Sequence, residues 1–221
     1  YLKYLAELYE LEKVDEDINP RILGNILHRT IELLYLPYKN EAITEIILNK
    51  LLSNEKHIDR QLNKAFKEEK FTHHKEGKNL LLKKVIKRLL IKILENDKQD
   101  VPFQLVDLER NDDKYNVFLT LKDGREVLLS GIVDRVDKVS LEDGTQVCRI
   151  LDYKTGNITL ASKMKLKLKA NYYFNDYFAQ TDLKAGFQAY FYAYLFWRKN
   201  KNVPIIAGIY ALKSINQGIK Y

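Results

Sequence analysis

A mixed α/β fold is what this sequence predicts, and three observations predict it. Residues 20–96 carry apolar side chains at the three-to-four-residue spacing of helices. From Pro102 the apolar positions alternate in steps of two, with Asp-Gly turns between the runs. After residue 181 a long helical pattern returns, followed by a short apolar strand. Helices, then strands, then a helix and a strand give a mixed sheet with flanking helices and an N-terminal helical region. The 221 residues suffice for a single domain with its own core. Within it, residues 1–100 form a helical part and residues 101–221 a sheet-and-helix part.

Residues 1–13 place Leu2, Leu5, Leu8 and Tyr9 on one helix side, and an acidic connector follows at 14–17. Asn19-Pro20 reads as an N-cap with proline at the first helical position. The next helix, 20–36, buries Leu23, Ile26, Leu27, Thr30, Ile31 and Leu34. Gly24 and His28 are one turn apart and share its edge. A glycine there costs helix stability but lets another backbone or a ligand come close. His28 by itself reads as an ordinary surface or satisfied core histidine. Residues 41–99 divide into three helices, broken at Ser53-Asn54 and at 71–77. The last of these carries Lys83, Lys84, Lys87 and Lys92, which can track a phosphate backbone but read more simply as a solvated helix face. His73-His74 has no third ligand nearby, which argues against zinc.

Strands are expected at 103–110, 115–121, 126–139 and 146–153, as a four-stranded antiparallel meander. Asp143-Gly144 between two β-branched runs is a strong hairpin signal. In the second run Asp152 and Lys154 project from one face while Tyr153 points to the other. Asp134 lies on the first run, at a distance from the turn that brings it near Asp152. Two carboxylates packed together are costly unless a cation offsets them. A divalent metal answers that need, with Lys154 beside it facing a scissile phosphate.

Residues 157–181 lack periodicity and interleave Lys163, Lys165, Lys167 and Lys169 with Tyr172, Tyr173, Phe174, Tyr177 and Phe178. This reads equally as a stacking and phosphate-pairing loop or as a surface loop packed on the core. A helix over 182–200 sets Gln188 and Tyr192 on one face, and a strand at 204–212 joins the sheet beside the hairpin.

The formal charge of +7 suits an anionic partner without proving one. The longest apolar run, nine residues at 189–197, is far short of the ~20 a membrane helix needs, so no membrane role is expected. One cysteine, Cys148, excludes an internal disulfide and fits a reducing cytoplasm; a buried thiol is its simplest reading. The chain begins at Tyr1 without methionine and reads as an excised piece of something longer.

Gly131, Asp134, Arg135 and Asp137, followed by Asp152, Tyr153, Lys154, Thr155 and Gly156, resemble the PD-(D/E)XK nuclease superfamily in its RecB and AddB branch. Gly24 and His28 match that branch's Gly-x-x-x-His motif. Gln188 and Tyr192 match its Gln-x-x-x-Tyr motif. The resemblance implies a restriction-endonuclease-like αβββαβ core and a Mg²⁺- or Mn²⁺-dependent deoxyribonuclease, an exonuclease before an endonuclease. It implies metal ligation by His28, Asp134, Asp152 and the Tyr153 carbonyl, catalysis by Asp134, Asp152 and Lys154, and DNA contacts from Gln188 and Tyr192. Arg135 and Asp137 read instead as an ion pair supporting the strand. Glu109 falls where family members often carry a further acidic residue, although a solvent-facing role is the simpler reading. Many members of the AddB branch hold an iron–sulfur cluster on four cysteines; one thiol cannot, so no cluster is expected.

The resemblance further implies the C-terminal nuclease domain of a helicase–nuclease acting in double-strand break repair and recombination, with a helicase or helicase–nuclease subunit as partner. There is no Walker A run, so any motor lies outside this piece. Two other readings stay open: a nuclease-like DNA-binding or assembly module without cleavage, and a structural protein whose Asp152 and Lys154 are only an ion pair.

Overall fold

The Asp143-Gly144 turn folds as the sequence predicts. Gly144 takes φ +82°, a left-handed value that favours glycine. Leu141 N–H donates to Thr145 C=O at 2.8 Å, and Asp143 accepts from Thr145 N–H at 2.8 Å. The computed structural model describes residues 20–70, 77–108, 115–156, 184–201 and 203–221. The expected helix at 1–13, Asn19, His73, His74, Glu109 and the Lys/aromatic stretch at 157–181 lie outside the described residues.

Among the described residues the helices are α1 Pro20–Tyr35, α2 Glu45–Ser53, α3 Glu55–Glu68, α4 Gly77–Asp97 and α5 Lys184–Lys199. The strands are β1 Ala42–Ile43, β2 Phe103–Leu108, β3 Val117–Thr120, β4 Glu126–Leu129, β5 Arg135–Ser140, β6 Gln146–Lys154, β7 Ile205–Ala211 and β8 Ile219–Lys220. The break at Ser53-Asn54 is a cap: Asn54 Oδ1 accepts the His57 N–H at 3.0 Å and opens α3.

The main sheet has the order β1-β2-β5-β6-β7-β8. All its pairings are antiparallel except β6 with β7, which is parallel and is reached through the crossover containing α5. β6 is therefore interior, and seven of its nine residues are buried. Its alternation divides the core between two faces. Leu151 and Tyr153 pack with Ile26, Leu27, Ile86 and Phe103 on the side of α1 and α4. Cys148 and Ile150 pack with Leu195 and Phe196 of α5 on the other. Burial pushes the Cys148 thiol up, keeping it protonated, in keeping with the simple reading of that residue.

The four-stranded meander is corrected in two places. β3 and β4 pair only with each other, as a separate two-stranded sheet, and β2 pairs directly with β5. The hairpin leaves Phe118, Val127 and Leu128 exposed; alternation along a strand signals a pleat but does not name the strand beside it. The single strand expected at 126–139 is also interrupted between Leu129 and Arg135. Gly131 lies in the break, and a Cβ there would fall 2.8 Å from Tyr192 and 2.9 Å from Leu195 of α5. The chain leaves the pleat where α5 presses closest. Gly131→Ala is expected to destabilise the fold by about 1–3 kcal/mol through overpacking, measured by urea denaturation, and to disturb Tyr192.

Beneath β5 and β6, on the α1 and α4 side, charges are buried as a network. Arg135 is fully buried; its Nη1 donates to Asp97 at 2.7 Å and to the Tyr153 hydroxyl at 3.2 Å, and its Nε donates to Asp137 at 2.8 Å. Arg149 holds the other side of Asp137 at 2.7 Å and reaches Asp100 at 2.6 Å. Asp97 also accepts from the Tyr35 and Tyr210 hydroxyls. Burial pushes both phenols up, so they stay protonated donors. The Arg135 guanidinium stacks over Phe103, 4.5 Å from the ring centre. Two arginines and two carboxylates, Asp97 and Asp137, balance at the centre of this network. The ion pair expected of Arg135 and Asp137 is present and is wider than the sequence implied.

Candidate active site at the end of β6

The site forms where β6 ends, because α1 arrives there from one face of the sheet and α5 from the other. Tyr153 anchors the strand: its ring stacks on Tyr210 at 5.2 Å between centroids, inside the buried network. That anchoring turns the Tyr153 backbone amide and carbonyl toward the neighbouring elements. The amide N–H donates to Asp134 Oδ2 at 2.7 Å, and the carbonyl lies 2.9 Å from His28 Nε2. His28 Nδ1 lies 3.4 Å from Asp134 Oδ1.

Asp134 is not on the strand itself, as expected from sequence, but in the bend just before β5. One step beyond the Arg135–Leu151 pair it stands opposite Asp152. Leaving the strand lets its carboxylate swing onto the Tyr153 amide. Asp152 and Lys154 do share a face, with the Lys154 ammonium 3.0 Å from Oδ1 and 2.9 Å from Oδ2 of Asp152. The same ammonium donates to Gln188 Oε1 at 2.8 Å, and Gln188 Nε2 donates to the Tyr192 hydroxyl at 2.5 Å. His28, Asp134, Asp152, Tyr153, Lys154, Gln188 and Tyr192 thus meet in space.

Gly24 is looser than expected. A Cβ there would meet Thr155 Oγ1 at 3.6 Å, an ordinary contact. Gly24→Ala is accordingly expected to keep the fold and raise stability by about 0.5–1 kcal/mol through helix propensity, read from a shifted urea midpoint.

Electrostatically, Asp152 is the costly member. Burial first, and then the Asp134 carboxylate, push its carboxyl up to about 6, against the opposing pull of Lys154 and His28. Its Oδ2 is buried without a hydrogen bond, although it touches the Lys154 ammonium. His28 presents both ring nitrogens to acceptors, a carbonyl and a carboxylate, and a neutral imidazole can donate to one of them only. A buried carboxylate paired with Lys154, a second carboxylate, a carbonyl and an imidazole form a donor set of hard and borderline ligands. Such a set fits a small divalent cation. The described residues do not close into a ready cage: among them no group of three or more His, Cys, Asp or Glu side chains is placed to hold a metal ion. The fourth ligand would be the backbone carbonyl of Tyr153, and Asp152 is held by Lys154.

Sequence reasoning missed Asp97, Tyr35 and Tyr210, which hold Tyr153 from below through Arg135. The signal available was Arg149 and Asp137 at inward-facing strand positions, where charges need partners.

Comparison with known proteins adds two findings. The sequence pattern of the PD-(D/E)XK nuclease superfamily matches residues 1–218. Three Streptococcus pyogenes proteins, from serotypes M49 (strain NZ131), M4 (strain MGAS10750) and M1, are each 30% identical over 156 residues. Each is named as a subunit of an ATP-dependent helicase/deoxyribonuclease. The match covers 70% of this chain and 12% of each relative.

Proposed function

We propose, from the premise that this chain belongs to the PD-(D/E)XK nuclease superfamily, that it hydrolyses DNA phosphodiester bonds with a bound divalent cation, Mg²⁺ or Mn²⁺. The observation that carries the reading is the meeting of Asp134, Asp152, Lys154 and His28 at the end of β6. Members of the superfamily generally use divalent metals. In this chain Asp134, Asp152, His28 and the Tyr153 carbonyl would hold the ion. When bound, it supplies an activated water and charge stabilisation at the phosphate.

The chain's own groups do the rest. Asp134 and Asp152 bring the negative charge that binds the cation and orients it toward β6. Lys154, released from Asp152, places its ammonium where charge builds on the scissile phosphate. Gln188 fixes the direction of that ammonium and, with Tyr192, contacts the DNA backbone. The Arg135 network keeps the Tyr153 peptide from shifting as these partners exchange.

The relatives' name points to a helicase–nuclease setting, and the whole chain reads as one nuclease domain of such an assembly, with a helicase subunit as partner. Break repair and recombination, exonucleolytic action and a cytoplasmic location follow from the same reading. No helix among the described residues is long and apolar enough to cross a membrane.

The test is incubation of the chain with linear single- and double-stranded DNA, with Mg²⁺ and with chelator, beside Lys154→Ala. The expected outcome is metal-dependent cleavage, reduced by roughly 10²–10³-fold in the variant. Binding without cleavage by the unaltered chain would replace this reading with that of a non-cleaving DNA-binding module.

A further inference from the structure

We infer that the exposed face of α3 is a binding track for the phosphodiester backbone of nucleic acid, leading to the catalytic centre. Its destination rests on the nuclease reading; its chemistry does not. Lys56, Arg60, Lys64 and Lys67 are spaced four, four and three residues apart, so they fall on one helix face, and all four are exposed. With Asp59 and Asn63 they line an open groove of about 470 Å³.

The groove is electropositive in balance. Among the described residues its one lining carboxylate is Asp59, which is neutralised from α4 by Lys87 at 3.0 Å; Lys87 also reaches Glu55 at 2.9 Å. Asn63 is held by Lys83 at 2.6 Å. Lys64 has only a loose contact with Glu68 at 3.9 Å, and no carboxylate pairs with Lys56, Arg60 or Lys67 among the described residues. Surface cations with so little acidic pairing over about three helical turns are suited to a polyanion rather than to internal ion pairing.

Length and direction fit a nucleic-acid strand. From Lys56 to Lys67 the helix rises about 16 Å, which spans roughly four or five phosphates of one duplex strand. The far end of α3 is fastened to α1 on either side of His28: Asn25 donates to Glu69 at 3.2 Å, and Arg29 pairs with Glu68. The stripe therefore ends on the turn that is fastened to the helix carrying His28. Among the described residues no aromatic side chain lines the groove, so the contact reads phosphates and not bases.

The test combines Lys56→Gln, Arg60→Gln, Lys64→Gln and Lys67→Gln in one chain. Binding of fluorescein-labelled DNA is measured by anisotropy with chelator present, across a salt series. Turnover of bis(p-nitrophenyl) phosphate with Mn²⁺ serves as the short-substrate control, and thermal melting as the folding control. The expected result is affinity lowered by about tenfold or more, with the log–log salt slope shallower by roughly 3. Melting and small-substrate turnover should match the parent. Affinity and slope equal to the parent's, or no DNA binding by the parent, overturn the track; the first would leave the stripe to an acidic protein partner. If the parent binds DNA through these residues but cleaves nothing, the track stands and the nuclease reading falls.

Discussion

Asp152→Asn will stop DNA cleavage and, without metal, make the fold more stable. The loss of activity, at least roughly a hundredfold, follows from removing a charged group that would hold the metal in the proposed mechanism. The gain in stability follows from the carboxyl being pushed up to about 6 by burial and by Asp134, against ~3.9 in an unfolded chain. The folded state then holds the proton more tightly than the unfolded state. Between about pH 4 and 6 the wild-type fold therefore loses stability as pH rises, and above pH 6 the penalty levels near roughly 3 kcal/mol. Asparagine carries no such penalty. In chelator, its advantage in urea denaturation should grow by roughly 1 kcal/mol from pH 5 to 8. Added Mn²⁺ should reverse the order, because only the wild type gains binding free energy. A variant less stable than wild type at pH 8 without metal would refute the electrostatic account of this residue.

Arg135→Met will cost about 3–5 kcal/mol, the range for removing one partner from a buried ion pair. Arg135 and Asp97 are both fully buried, and methionine leaves the Asp97 carboxylate with two phenols and no cation. Asp137 keeps Arg149. The loss should be read by denaturant titration. Adding Asp97→Asn in the same chain should restore part of it, since the stranded charge goes with the carboxylate. By contrast Arg125→Ala, which breaks an exposed pair with Asp123, should leave the denaturation midpoint essentially unchanged. A similar small effect for Arg135→Met would mean that the network is not what holds Tyr153 in place.

The hairpin of β5 and β6 was legible because its information is local. Asp143-Gly144 sets the turn, the period of two sets the faces, and together they place Asp152 beside Lys154 and opposite Asp134. His28, Gln188 and Tyr192 were legible only through motif resemblance, since one helix polar residue looks like another until the fold brings it to the strand end. Asp97 carried no signal of its own. It ends a helix, where an acidic residue is unremarkable, and its cation lies 38 residues away. The detachment of β3 and β4 was hidden for a related reason: the sequence specifies a pleated apolar surface, and the partner is chosen by tertiary competition. β1 and β8, two residues each, are too short to leave a periodic trace.

The claim on which the mechanism turns is that one ion is shared by Asp134, Asp152, His28 and the Tyr153 carbonyl. Anomalous diffraction from crystals of the chain soaked in Mn²⁺ tests it most directly. One strong peak is expected within about 2.5 Å of both carboxylates, with His28 and the Tyr153 carbonyl around it and Lys154 drawn off Asp152. Density at saturating Mn²⁺ that leaves Lys154 paired to Asp152, with no peak between the two carboxylates, would contradict it.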